Sequence, residues 1–179
     1  MTNIDFTESG MKFGPYHSSL FFHIEESETY KRVKEGVQIA EFLLLRLPSG
    51  KTPSIWIVEA KSSSPRPETQ PKFEEFITEI HDKLCNTLSL GLAAVLRRHP
   101  ATYSELPESY RNLDLSTVDF RLVLVINGHQ NEWLPPLQEA LEKSLLPTVK
   151  TWAMSVPAVI VINEVLAEKY GLVNCSLSG

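Results

Sequence analysis

The stretch Ser54-Ile55-Trp56-Ile57-Val58-Glu59-Ala60-Lys61 limits the folds open to this chain more than any other. An apolar run of this kind reads as a buried strand. It ends in a carboxylate and an ammonium, Glu59 and Lys61. Strand side chains repeat every two residues, so these two point to one face, with Cα atoms roughly 6–7 Å apart. Charge at the end of a buried strand is costly unless something satisfies it. The run therefore predicts a sheet interior and, at its end, a concentration of chemistry.

The rest of the chain supplies partners for that strand. Val37 to Leu47 reads as a strand, Pro48 to Pro53 as a turn and Ile55 to Ala60 as the next strand, which together make a β-hairpin. Ser62 to Pro67 breaks the chain, and Pro71 supports a helix start close behind it. Phe73, Phe76, Ile77, Ile80, Leu84, Leu88, Leu92, Val95 and Leu96 recur at helical spacing. They predict a long helix over about residues 72–98 that packs along a sheet. Phe120 to Asn127 is a near-continuous apolar strand, as a central position in a sheet requires. A helical pattern over Leu137 to Leu146 and a buried strand over Ala158 to Ile162 follow. Asn163 caps a last helix, Glu164 to Tyr170, which Gly171 ends. Leu20 to Ile24 has the composition of a short strand and Glu25 to Lys34 that of an exposed helix, while residues 1–19 read as an irregular lead-in and 99–118 as loop with a short helical turn. The expected fold is α/β: a central mixed sheet with an antiparallel hairpin, flanked by helices, in one domain over residues 1–179 with its core at about 20–170.

Composition narrows the function classes. A chain of 179 residues buries a sizeable core without disulfides, and its two cysteines, Cys85 and Cys175, form no framework. The polar, acidic Met1 to Glu8 lacks the pattern of a signal peptide, and no apolar run approaches the roughly 20 residues that span a bilayer. The expectation is a cytoplasmic protein without a membrane partner. A net charge of −5 argues against strong nonspecific nucleic-acid binding, but a local basic face suffices for a specific contact.

The hairpin turn sets a testable register. Opposed residues should have numbers totalling about 101, give or take one for a bulge or a longer turn. At a total of about 100, Glu41 faces Glu59, and Glu41, Glu59 and Lys61 share one face at the open end of the hairpin. A slip of one residue separates them. Two carboxylates that close repel each other. A hard divalent cation removes the conflict, and a lysine beside it can orient a water or stabilise developing charge.

Glu41, a hairpin, and a strand running into Glu59-Ala60-Lys61 resemble the PD-(D/E)XK, or restriction-endonuclease-like, nuclease superfamily over roughly residues 20–127. The order of elements is similar too. The resemblance implies Mg2+ or Mn2+ held by Glu41, Glu59 and the carbonyl of Ala60, with Lys61 assisting the attacking water. It implies phosphodiester hydrolysis in nucleic acid, DNA ahead of RNA. A homodimer, or work inside a larger complex, is compatible with so short a chain. A further helix carboxylate sometimes joins such a site, and Glu28 and Glu35 are candidates. The pattern departs from the superfamily at its first acid, where Ala40-Glu41 stands in place of Pro-Asp. The alternative is a non-catalytic module of the same fold that binds or assembles.

Plainer readings compete residue by residue. Glu59 and Lys61 could be a solvated ion pair at a strand end, and Glu41 an exposed edge position. His81 and Cys85 have metal-ligand spacing but no second pair, so a packing role is expected. His129 is expected at the surface, and Trp56 in the core.

Overall fold

The computed structural model describes residues 2–175. Its strands are β1 (Asn3–Glu8), β2 (Met11–His17), β3 (Phe21–Phe22), β4 (Phe42–Arg46), β5 (Ser54–Lys61), β6 (Asp119–Ile126) and β7 (Val159–Asn163). Its helices are α1 (Glu28–Val33), α2 (Lys72–Val95), α3 (Pro100–Glu105), α4 (Glu108–Arg111), α5 (Leu134–Thr151) and α6 (Glu164–Lys169). The sheet runs β3-β4-β5-β6-β7, and β1-β2 forms a separate two-stranded sheet. β3, β4 and β5 pair antiparallel, while β6 and β7 continue parallel to β5. The expected α/β mixed sheet with an antiparallel hairpin and flanking helices is therefore present. Among the described residues no helix is long and apolar enough to cross a membrane.

Strand alternation sorts the core into two layers. Leu43, Leu45, Ile55, Ile57, Leu122 and Leu124 face α2 and α5, with Ile80, Leu84, Leu137 and Leu141 above them. Phe42, Leu44, Val58, Ala60, Val123 and Val125 face the other way, onto Phe13 and Tyr16 of β2 and Ala167 of α6. Glu59 and Lys61 belong by parity to the α2 side. Helices α2 and α5 cover one face of β5 and β6, and the β1-β2 hairpin with α6 covers the other, which is why those strands read as near-continuous apolar runs.

The hairpin pairs Phe42 with Val58, Leu43 with Ile57, Leu45 with Ile55 and Arg46 with Ser54, the register in which opposed numbers total about 100. The first strand is shorter than expected, beginning at Phe42 and not at Val37. Helix α2 takes up the backbone before it: Ala40 N–H donates to Thr87 Oγ1 at 2.7 Å, and Asn86 Nδ2 donates to the Gln38 carbonyl at 2.9 Å.

Residues 1–19 are not an irregular lead-in. β1 and β2 form a hairpin around Ser9-Gly10, both with positive φ (51° and 77°), the geometry of a two-residue type I′ turn. The polar-apolar alternation of Asn3 to Glu8 carried the strand signal. Helix α5 is longer than expected at both ends, starting on Leu134-Pro135-Pro136, where prolines cost nothing, and passing through Pro147. The 99–118 segment contains two short helices, α3 and α4. The last helix follows expectation: Asn163 Oδ1 accepts from Leu166 N–H at 3.0 Å, and Gly171 (φ 66°) ends it.

Candidate functional site

Glu59 ends the buried run of β5 and is itself 0% exposed. Two ammoniums reach the same oxygen. Lys83 Nζ donates to Glu59 Oε1 at 2.8 Å, and Lys61 Nζ lies 3.4 Å from it. Lys61 also donates to Glu79 Oε1 at 2.6 Å. Glu79 and Lys83 are one turn apart on α2, on the flank of its apolar stripe, so docking that stripe on the sheet lowers both onto the end of β5. The second oxygen, Glu59 Oε2, is buried without a hydrogen-bond partner.

The electrostatics follow from that geometry. Burial pushes the Glu59 carboxyl above its ordinary range, although Lys83 and then Lys61 pull against it. Burial alone would pull Lys83 down, but the charges of Glu59, Glu41 and Glu79 outweigh it and hold the ammonium above its ordinary value. Lys83 is thus a fixed positive charge at the root of the site.

Glu41 stands one residue before β4, 8% exposed, with its N–H donating to the Val58 carbonyl at 3.0 Å. Burial, a hydrogen bond with the Glu25 carboxyl and the charges of Glu59, Glu25 and Glu8 push it up to about 8. Glu25 lies in a single 3-10 turn, Ile24–Glu26, that follows His23 and is anchored by buried Ile24. One ligand atom from each of His23, Glu25 and Glu41 lies within 4.8 Å of the others.

The three residues expected to form one group therefore divide between two adjoining ones. Glu41 gathers with His23 and Glu25, while Glu59 and Lys61 gather with Lys83 and Glu79. The groups are close enough for the Glu59 charge to bear on Glu41 and the Glu41 charge on Lys83. Ala60 buries its side chain on the far face and offers the site only its carbonyl. Val58 O accepts from Glu41 on the β4 side, and Lys61 O accepts from Asn127 on the β6 side. Carbonyls alternate along a strand, so that of Ala60 points to the β4 side, beyond Phe42, the last residue paired with β5.

Neither expected helix carboxylate joins the site. Glu28 faces Lys31 at 3.6 Å with half its side chain exposed, and Glu35 is exposed. The carboxylate that gathers with Glu41 is Glu25. The sequence reading missed His23, Glu25, Glu79 and Lys83. The Glu79–Lys83 spacing on the longest helix was a usable signal, whereas nothing local marks His23 or Glu25.

The remaining candidates lie outside both groups and make packing contacts. His81 Nδ1 meets Ser144 Oγ at 2.8 Å and Cys85 Sγ meets Thr148 Oγ1 at 3.4 Å, joining α2 to α5 as the packing alternative required. His129 is not a surface residue: it is 9% exposed, set edge-on to Trp133 at 5.1 Å, and burial lowers its pKa. Trp56 is half-buried under Arg46 and beside Tyr170. Comparison with known proteins finds no match: no family model, no curated protein and no solved structure matches the chain.

Proposed function

We propose that the chain is a metal-dependent phosphodiester hydrolase of restriction-endonuclease-like architecture, acting on nucleic acid, DNA ahead of RNA. The observation that carries this reading is Glu59, a wholly buried carboxylate with one oxygen against two ammoniums and the other free, beside a second buried acid. Burying that much charge at the end of a core strand is expensive without a ligand to compensate it. The donor types suit a divalent cation: Glu41 and Glu59, in adjoining groups, offer carboxylate oxygens, and Ala60 offers a carbonyl on the β4 side. Bound there, the ion would supply Lewis acidity and lower the pKa of a coordinated water.

The chain's own residues divide the remaining work. Lys83 favours the ionised form of Glu59 against the effect of burial and fixes its orientation. Lys61, partly exposed at the end of β5, is the group placed to orient an attacking water or to stabilise charge on a phosphate oxygen. Glu79 holds the Lys61 ammonium in place.

The test is cleavage of single- and double-stranded DNA and RNA with Mg2+ or Mn2+. Glu59→Ala and Lys61→Ala should each lower the rate by at least about 100-fold with the circular dichroism spectrum unchanged. Equal rates in parent and variants would sink the proposal. A second reading, a non-catalytic binding or assembly module, draws support from the 2.6 Å contact that engages Lys61 with Glu79. Absence of cleavage on every substrate, together with a stable oligomer or partner complex, would favour it.

A further inference from the structure

The ligand set around Glu41 carries information about which cation the site selects. His23, Glu25 and Glu41 offer one nitrogen and two oxygens within 4.8 Å of one another. Their positions are built, not incidental. The His23 ring packs against Phe6 at 5.2 Å and Phe21 at 5.9 Å. Glu25 is fixed by the 3-10 turn, whose Ile24 is 0% exposed. Glu41 is fixed through its own N–H and that of Ala40. In the adjoining group the buried Oε2 of Glu59 has no hydrogen-bond partner, and the Glu59 charge bears on Glu41.

We propose that His23, Glu25 and Glu41 form a divalent-cation site that selects a first-row transition ion such as Mn2+ over Mg2+. Magnesium is a hard ion that favours oxygen ligands and near-ideal octahedral geometry. An imidazole nitrogen suits transition ions and adds little for magnesium. Three protein ligands leave positions open for water or a substrate oxygen. The inference rests on the hydrolase reading only in sharing Glu41, and it narrows that reading from either ion to one.

The test uses the full chain without nucleic acid, titrated calorimetrically with MnCl2 and with MgCl2. Mn2+ should bind at least about 10-fold more tightly than Mg2+. His23→Ala should weaken Mn2+ at least about 10-fold while changing Mg2+ less than about 3-fold. Pulsed EPR of the bound Mn2+ should show coupling to a nitrogen-14 nucleus that disappears in the variant. His23→Phe, which keeps a ring against Phe6 and Phe21 and offers no ligand atom, gives the same readout if the alanine variant fails to fold. Equal or tighter Mg2+ binding, unchanged Mn2+ affinity in both variants, or a nitrogen signal that survives them overturns the site. Failure of the hydrolase is distinguishable: a chain that binds Mn2+ through nitrogen and cleaves nothing keeps the site and loses the activity. Cleavage with Mg2+ and no nitrogen coupling does the reverse.

Discussion

Glu59 presents one oxygen to Lys83 and Lys61 and the other to nothing, and Glu41 beside it is pushed up to about 8. Two expectations belong to these residues. Removing Lys83 leaves a buried carboxylate with only the longer Lys61 contact, so Lys83→Ala should cost about 3 kcal/mol in urea unfolding. Adding Glu59→Gln to that variant should recover part of the loss, because the uncompensated charge goes with it. A double variant no more stable than Lys83→Ala would show that the charge is not the cause. The second expectation concerns pH. The folded-state value of Glu41 is about 8, above its ordinary 4.5. Between those values the native state holds a proton that the unfolded chain has released. The stabilisation is therefore complete below 4.5 and lost as pH rises through about 8. Metal-free protein should show a urea midpoint that falls across this window, and Glu41→Gln should flatten the fall. A midpoint that climbs instead would contradict the assignment. Because a cation takes the ionised form, Mn2+ should stabilise most at the alkaline end.

At the scale of elements, the site depends on how α2 meets the segment before β4. Thr87 Oγ1 accepts from Ala40 N–H and donates to the Lys83 carbonyl, tying the chain next to Glu41 to the turn that carries Lys83. Thr87→Val keeps the side-chain shape and removes the acceptor, leaving a buried N–H unpaired. It should cost about 1–3 kcal/mol in urea unfolding. It should also weaken Mn2+ binding, which calorimetry reads directly; unchanged affinity would mean that Glu41 is positioned by other contacts. The same junction explains where the strand expectation erred. Val37 to Ala40 has the composition of a strand, yet the Gln38 carbonyl and the Ala40 N–H pair with side chains of a helix more than 40 positions later. Local pattern does not contain those partners. The hairpin register, by contrast, was legible to within one residue because the Pro48–Pro53 turn limits it locally.

For the molecule as a whole, the N-terminal hairpin joins the layer opposite α2 to the candidate site. Phe13 is 0% exposed and stacks on Phe6 at 5.5 Å, and Phe6 in turn abuts His23. Leu141 on α5 is equally buried in the other layer. Phe13→Ala and Leu141→Ala should each destabilise the chain by about 2–5 kcal/mol. Measured where both remain folded, Phe13→Ala should lower Mn2+ affinity and Leu141→Ala should not. Equal affinities in the two would show that the hairpin supports the sheet and not the cation ligands.

Local sequence was enough for the strand that ends in Glu59 and Lys61, the long helix behind it, the Asn163 cap and, to within one residue, the hairpin register that brings Glu41 toward them. These rest on period, turn composition and capping, all of which act within a few residues along the chain. Tertiary structure alone decided the company those residues keep. Lys83 and Glu79 reach β5 because of how the apolar stripe of α2 seats on the sheet. His23 and Glu25 reach Glu41 because β3 pairs with β4 and the turn after β3 is packed in place. Side-chain periodicity says which face a residue occupies. Which groups meet across two faces depends on how whole elements dock, and that is settled by burial of the entire core.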